Sequence, residues 1–217
     1  MLGVAFAFAC AQEAVPQKGS LIENDKVRVS SIETAAGKNI AVDQQSDNLY
    51  IKVADFGPAF PESPKKANAW AKDAVHFVAA GYEKPVNDKD KSAGKYVRVQ
   101  FLRPPGKYVA FDVPVTHYCN PGMQKACVNE QYLFCTERFC AEAVTLGVGA
   151  ASTQHTHTDD HIVIATNDFR WREEVAGGKA VEHEFKAGDA MYVKAGVTHR
   201  LINNGGTVAR LVMVQFK

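Results

Sequence analysis

The residues of this chain that could do chemistry gather in two groups, four histidines and four cysteines. His155 and His157 stand two apart, His161 follows four positions later, and His199 lies just past a turn signal at Gly196. Residues two apart in a strand face the same side, so His155 and His157 can enter one lumen together. A turn through Gly196 then presents His199 from another strand. Imidazoles converging in a mostly apolar cavity suit zinc, copper, iron or nickel. Asp159 and Asp160 are placed to accept the second ring N–H of His161, or one of them to ligate in its place. Gln154, Tyr192 and Arg200 are further polar neighbours, each of which also has an ordinary surface or packing explanation. His76, His117 and His183 read as plain surface or core histidines.

Cys119, Cys127, Cys135 and Cys140 form an even, clustered set, as expected where disulfides persist. If Glu137 and Arg138 form a hairpin turn, Cys135 and Cys140 face each other across it. Cys135–Cys140 with Cys119–Cys127 is then the preferred pairing of three possible ones, and four reduced thiols are the alternative. Upstream, the apolar run Leu2 to Ala9 ends in the small-residue pattern Ala9-Cys10-Ala11. This reads as the end of a secretory signal without its basic start. Lipid attachment at Cys10 is a second option. Together the two features predict an extracytoplasmic protein.

The elements that must position these side chains are strands. Short runs rich in Val, Ile, Phe and Tyr cover residues 26–32, 49–53, 96–102, 162–165, 190–193 and 210–216, separated by turns such as Gly177-Gly178. A weak helical pattern appears only over residues 64–74. The chain also repeats itself. Leu21 to Val27 matches Leu133 to Phe139, and the same offset of 112 carries Gly37 onto Gly149 and Ile51 onto Val163. Asp73 to Gly81 resembles Asp189 to Gly196, and Val97 to Phe101 matches Val212 to Phe216.

Two stretches carry a family resemblance: Gly149 to His161, with its H-x-H core, and Gly188 to Asn203, which contains Gly196 and His199. They closely resemble the two motifs of the cupin superfamily. The resemblance implies an all-β fold of two cupin barrels (double-stranded β-helix, jelly roll) related by the internal repeat. In that division residues 1–19 are a signal or amino-terminal segment, 20–105 a degenerate cupin, 106–130 a cysteine-bearing linker and 131–217 a metal-binding cupin. His155, His157, His161 and His199 would hold one divalent transition metal. His161 stands where the family has glutamate, Lys194 where it has proline, and Asp168 where it has glycine. Losing an anionic ligand shifts the expected metal from manganese toward copper, iron, zinc or nickel. In the first repeat the same offset places Asp43, Gln45 and Leu49 at the positions of His155, His157 and His161, and Lys84 occupies the place of His199, a set that cannot complete a metal site.

With 25 Lys and Arg against 24 Asp and Glu, the formal charge is +1 and no basic block occurs, which argues against nucleic acid as a partner. No other segment reaches the length of a membrane span. The expected partner is a small organic molecule, and the chain is expected as a monomer or homodimer. The resemblance implies a metal-dependent oxidoreductase of the dioxygenase type. A non-catalytic binder of metal or small ligand, or a cupin isomerase or lyase, are the alternatives.

Overall fold

The computed structural model describes residues 17–217 except 37, 39, 41, 55–73, 82–92, 105, 110–114 and 120–125. The expected signal with Cys10, most of the helical pattern at 64–74, and Gly37 and Lys84 lie outside the described residues. Within them the chain is all-β. The amino-terminal half forms β1 (Gln17–Glu23), β2 (Val27–Thr34), β3 (Asn48–Val53), β4 (Val75–Val78) and β5 (Gly94–Phe101). Then follow β6 (Tyr108–Val109), β7 (Val115–Cys119), β8 (Cys127–Thr136), β9 (Phe139–Leu146), β10 (His155–Thr156) and β11 (His161–Ala165). The last five are β12 (Phe169–Val175), β13 (Val181–Phe185), β14 (Ala190–Val193), β15 (Thr198–Ile202) and β16 (Ala209–Phe216). Residues 106–130, expected as a linker, supply β6, β7 and the start of β8.

All strand pairs are antiparallel, and the repeat reappears as topology. The first sheet runs β1-β2-β5-β3-β4, and the larger carboxyl-terminal sheet contains β8-β9-β16-β11-β14 in the corresponding order. Val27 pairs with Phe101 as Phe139 pairs with Phe216. A smaller sheet, β10-β15-β12-β13, has no counterpart among the described residues of the first half.

The large sheet is buried on both faces, which explains why β9 and β11 contain no exposed residue. Alternation sends Phe139, Ala141, Ala143, Ile162, Ile164, Val212, Val214 and Phe216 toward the first sheet, where they meet Val27, Val29, Leu49, Ile51, Val97, Val99 and Phe101. At the centre of this shared core, the Phe101 and Phe139 rings stack with centroids 4.3 Å apart. Burying each such side chain contributes roughly 1.5–3 kcal/mol. The opposite face sends Val144, Leu146, Val163, Ala165 and Leu211 toward the small sheet, packing on Phe169, Trp171 and Phe185. Between the large and small sheets lies the lumen of the carboxyl-terminal half.

Both expected disulfides are present, Cys119–Cys127 and Cys135–Cys140, each joining residues paired across neighbouring strands. Glu137 and Arg138 form the turn between β8 and β9, as the cysteine spacing requires. Such bridges fit an oxidising environment.

The pairing registers correct one reading of the repeat. His161 pairs with Gln215 and Val193, while in the first sheet Asn48 pairs with Gln100 and Val78. Asn48, not Leu49, therefore stands where His161 stands. Leu49 faces the shared core. The same one-residue shift holds upstream, because Gly81 donates its N–H to the carbonyl of Gln44 just as Gly196 donates to that of His157. Val42 and Gln44 thus replace His155 and His157, in place of Asp43 and Gln45. The physical reason is parity: one additional residue in the second repeat reverses which face each following residue occupies.

Candidate metal centre

The lumen histidines are brought together by pairing. His155 on β10 sits directly across from His199 on β15, so both point to one face, and His157 is the next residue on that face. The turn between β14 and β15 is tied to this strand by two backbone bonds, from the Gly196 N–H to the His157 carbonyl at 2.8 Å and from the His157 N–H to the Val197 carbonyl at 3.2 Å. Gly196 occupies the left-handed region, with φ of 86°, where a side chain is strained. His161 arrives from the large sheet, at the first position of β11.

Three ring nitrogens converge. The Nε2 atom of His157 lies 3.0 Å from Nε2 of His155 and 3.1 Å from Nε2 of His199. Their tautomers follow from the other nitrogen of each ring. The His155 Nδ1–H donates to the Thr153 carbonyl at 2.9 Å, and the His199 Nδ1–H donates to Oε1 of Glu173 at 2.5 Å. With those protons placed outward, both Nε2 atoms present lone pairs to the centre. His161 flanks the triangle, its ring 4.0 Å from that of His157. Burial, and then the neighbouring imidazoles, lower His157 to about 3. Burial likewise lowers His161 to about 4, despite the opposing effect of the Asp159 backbone carbonyl as acceptor. Both rings are therefore neutral at physiological pH, the form that ligates a metal. A donor set of imidazole nitrogens gathered at one place fits a divalent transition metal.

Glu173 was not expected from the sequence. It continues the inward stripe Phe169, Trp171, Glu173 of β12 and bridges His199 to His183, whose Nε2 donates to Oε2 at 2.9 Å. Burial pushes the Glu173 carboxyl up, but the bonds and charges of the two histidines outweigh it and hold it below the usual range. The signal was available as a lone acidic residue in an inward strand register.

Other expected neighbours lie elsewhere. Asp160, expected to hold or replace His161, instead accepts from Lys26 Nζ at 2.8 Å, from the Tyr192 hydroxyl at 2.6 Å and from the Ala195 N–H at 2.9 Å. The Lys26 and Tyr192 bonds, followed by the Ala195 N–H, hold its carboxyl well below the usual carboxylate range. Tyr192 is thereby committed to Asp160. The Asp159 carboxylate accepts from Thr158, Gln154 is exposed, and Arg200 lies beside Glu174.

The space beside the histidines is about 50 Å3, walled by Trp171, Met191, Leu211 and other apolar side chains. It shares Glu130, His155, His157 and Met213 with a more polar cavity of about 330 Å3.

Residues 143–215 match the family described as Cupin domain. Over this stretch the chain is a cupin. Among solved structures, AerE from Microcystis aeruginosa is similar over 89% of this chain and 88% of its own, at 9% identity and a TM-score of 0.54. A cupin 2 conserved barrel domain protein from Leptotrichia buccalis matches over 97% and 92%, at 13% identity and a TM-score of 0.49. A cupin domain from Bordetella pertussis matches over 53% of this chain and 97% of its own, at 19% identity and a TM-score of 0.37. No curated protein matches the chain. The likeness to AerE shows a shared fold and nothing about activity. Among the described residues no helix is long and apolar enough to cross a membrane.

Proposed function

We propose that this cupin holds one divalent transition metal on His155, His157 and His199 and acts as an exported oxidoreductase of the dioxygenase type on a small organic molecule. The observation that carries this reading is the convergence of three Nε2 atoms at 3.0–3.1 Å with the outer nitrogens of His155 and His199 pinned by Thr153 and Glu173. A metal bound there supplies Lewis acidity that polarises an oxygen of a bound molecule. The chain's own residues do the rest. Glu173 fixes the ring of His199, burial keeps His157 and His161 neutral, and Trp171, Met191 and Leu211 limit the water that reaches the site. Three protein ligands leave positions for a substrate, which favours catalysis over storage. Copper, iron, zinc and nickel suit the donor set better than manganese.

A second reading rests on His161. Its ring lies 4.0 Å from that of His157, and as a fourth ligand it would close the site and make the protein a metal or small-ligand binder. The first half, with Val42, Gln44 and Asn48 at the equivalent positions, is read as a metal-free cupin copy whose role is to cover the large sheet. Export is supported by the two disulfides.

The test is oxygen uptake. Protein loaded in turn with iron, copper, nickel, zinc and manganese is mixed with a panel of small organic compounds in an oxygen-electrode cell. Substrate-dependent uptake that vanishes in His157→Ala is expected. Compound turnover without oxygen uptake would replace the oxidoreductase reading with an isomerase or lyase, and no turnover with a closed four-histidine site would leave a binder.

A further inference from the structure

The larger cavity beside the histidines has a wall that the metal reading does not use. Glu142 on β9 and Glu130 on β8 both line it. Glu142 faces Tyr132 across the strand pair and Glu130 faces Val144, so the two carboxyl groups are diagonal neighbours on the inward face. Glu142 is 5% exposed, and neither it nor Glu130 has a hydrogen-bond or ion-pair partner among the described residues. Glu130 is half-buried and feels the charge of His155, and a carboxylate at the buried Glu142 beside it is costly without a partner. Among the described residues the remaining lining includes Asp159 and contains no lysine or arginine. Every described charged side chain around this space other than histidine is acidic.

Among the described residues this unmatched pair lies against the cavity that His155 and His157 also line. Elsewhere acidic groups are matched: Asp160 by Lys26, Glu173 by two histidines, Asp168 by Lys186. We propose that Glu142 and Glu130 form the recognition wall for the substrate of the adjoining histidine centre, and that this substrate is a small organic molecule carrying a protonated amine. A cation seated between the two groups restores the balance that the chain lacks, and an ammonium group supplies three donors to their oxygens. A volume of about 330 Å3 suits a small organic cation rather than a bare ion. In its absence, burial and the neighbouring charge of Glu130 keep Glu142 protonated up to about 8, and burial raises Glu130 as well.

This inference rests on the reading of the histidines as a metal centre, but its test separates the two. Binding of 1,4-diaminobutane, and of butane-1,4-diol as its uncharged counterpart, is measured by calorimetry on zinc-loaded protein near neutral pH. The diamine is expected to bind at least tenfold more tightly than the diol. Glu142→Gln, which keeps the side-chain shape, should weaken the diamine at least tenfold, and Glu130→Gln should act in the same direction. Metal content, measured on the same samples by mass spectrometry, should be unchanged in both variants. His157→Ala should lose metal and keep the diamine affinity within a few-fold. Equal affinity for diamine and diol, absence of diamine binding to the unmodified protein, or an unchanged affinity in a folded Glu142→Gln would overturn the proposal. A protein that binds the diamine through Glu142 yet retains no metal would overturn the metal reading alone.

Discussion

At the scale of single residues, the centre depends on which nitrogen of each imidazole carries a proton. Glu173 sets this for His199, so Glu173→Gln should weaken metal retention roughly 10–100-fold while leaving the fold intact, measured by competition with a chelator. Glu142 makes a separate prediction through pH. Its folded value of about 8 lies above the ordinary 4.5, so the folded chain binds the extra proton between those values. The associated stability is complete below 4.5 and is lost as pH rises through about 8. Glu142→Gln does not titrate, and its melting temperature should therefore gain on the unmodified protein between pH 5 and pH 8, by a stability difference on the order of a few kcal/mol. A constant difference across that range would contradict the burial argument. The converging histidines were legible because their spacing matches strand parity. Glu173 and Glu142 were not, because each looks like an ordinary surface acid until the partner strand fixes its face. Asp160 misled for a different reason. Its main partner, Lys26, is 134 positions away, and no local pattern reports a contact of that range.

At the scale of elements, most strands could be read directly. The apolar runs at 190–193 and 210–216 coincide with β14 and β16 to within a residue, since turns flank the first and a bend precedes the second. Register was harder. A single residue inserted in the second repeat moved the expected counterparts of the histidines from Val42, Gln44 and Asn48 to Asp43, Gln45 and Leu49, because a slip of one exchanges the two faces. The consequence can be checked, as Gln44→Ala and Gln45→Ala should both leave metal content unchanged. The β14–β15 turn, which carries Gly196, is the element on which the centre depends most. Gly196→Ala meets no atom within 4 Å but must adopt a φ of 86°, a strain of about 1–2 kcal/mol. It should lower the melting temperature and weaken metal retention together, since the same turn aligns His157 with His199.

At the scale of the whole molecule, the large sheet is shared between two cores, one toward the first sheet and one toward the histidine lumen. Phe139 lies in the first of these, stacked on Phe101 from the other half. Phe139→Ala should cost about 3–5 kcal/mol. Circular dichroism and tryptophan fluorescence should then follow one denaturant transition, because a shared core couples the halves. Two separated transitions would show halves that fold independently. The repeat foretold this arrangement only in part. It announced two related sheets, but their packing arises from apolar residues on both faces of β9, β11 and β16, which a repeat alone does not reveal.

The central claim is one metal on three lumen histidines. Its most direct test is metal content by mass spectrometry, combined with X-ray absorption at the edge of whatever metal is found. The account predicts close to one transition metal per chain with imidazole ligands, lost in His155→Ala, His157→Ala and His199→Ala. Near-zero content that copper, iron, nickel, zinc and manganese all fail to restore, or a bound metal that survives His157→Ala, would contradict it.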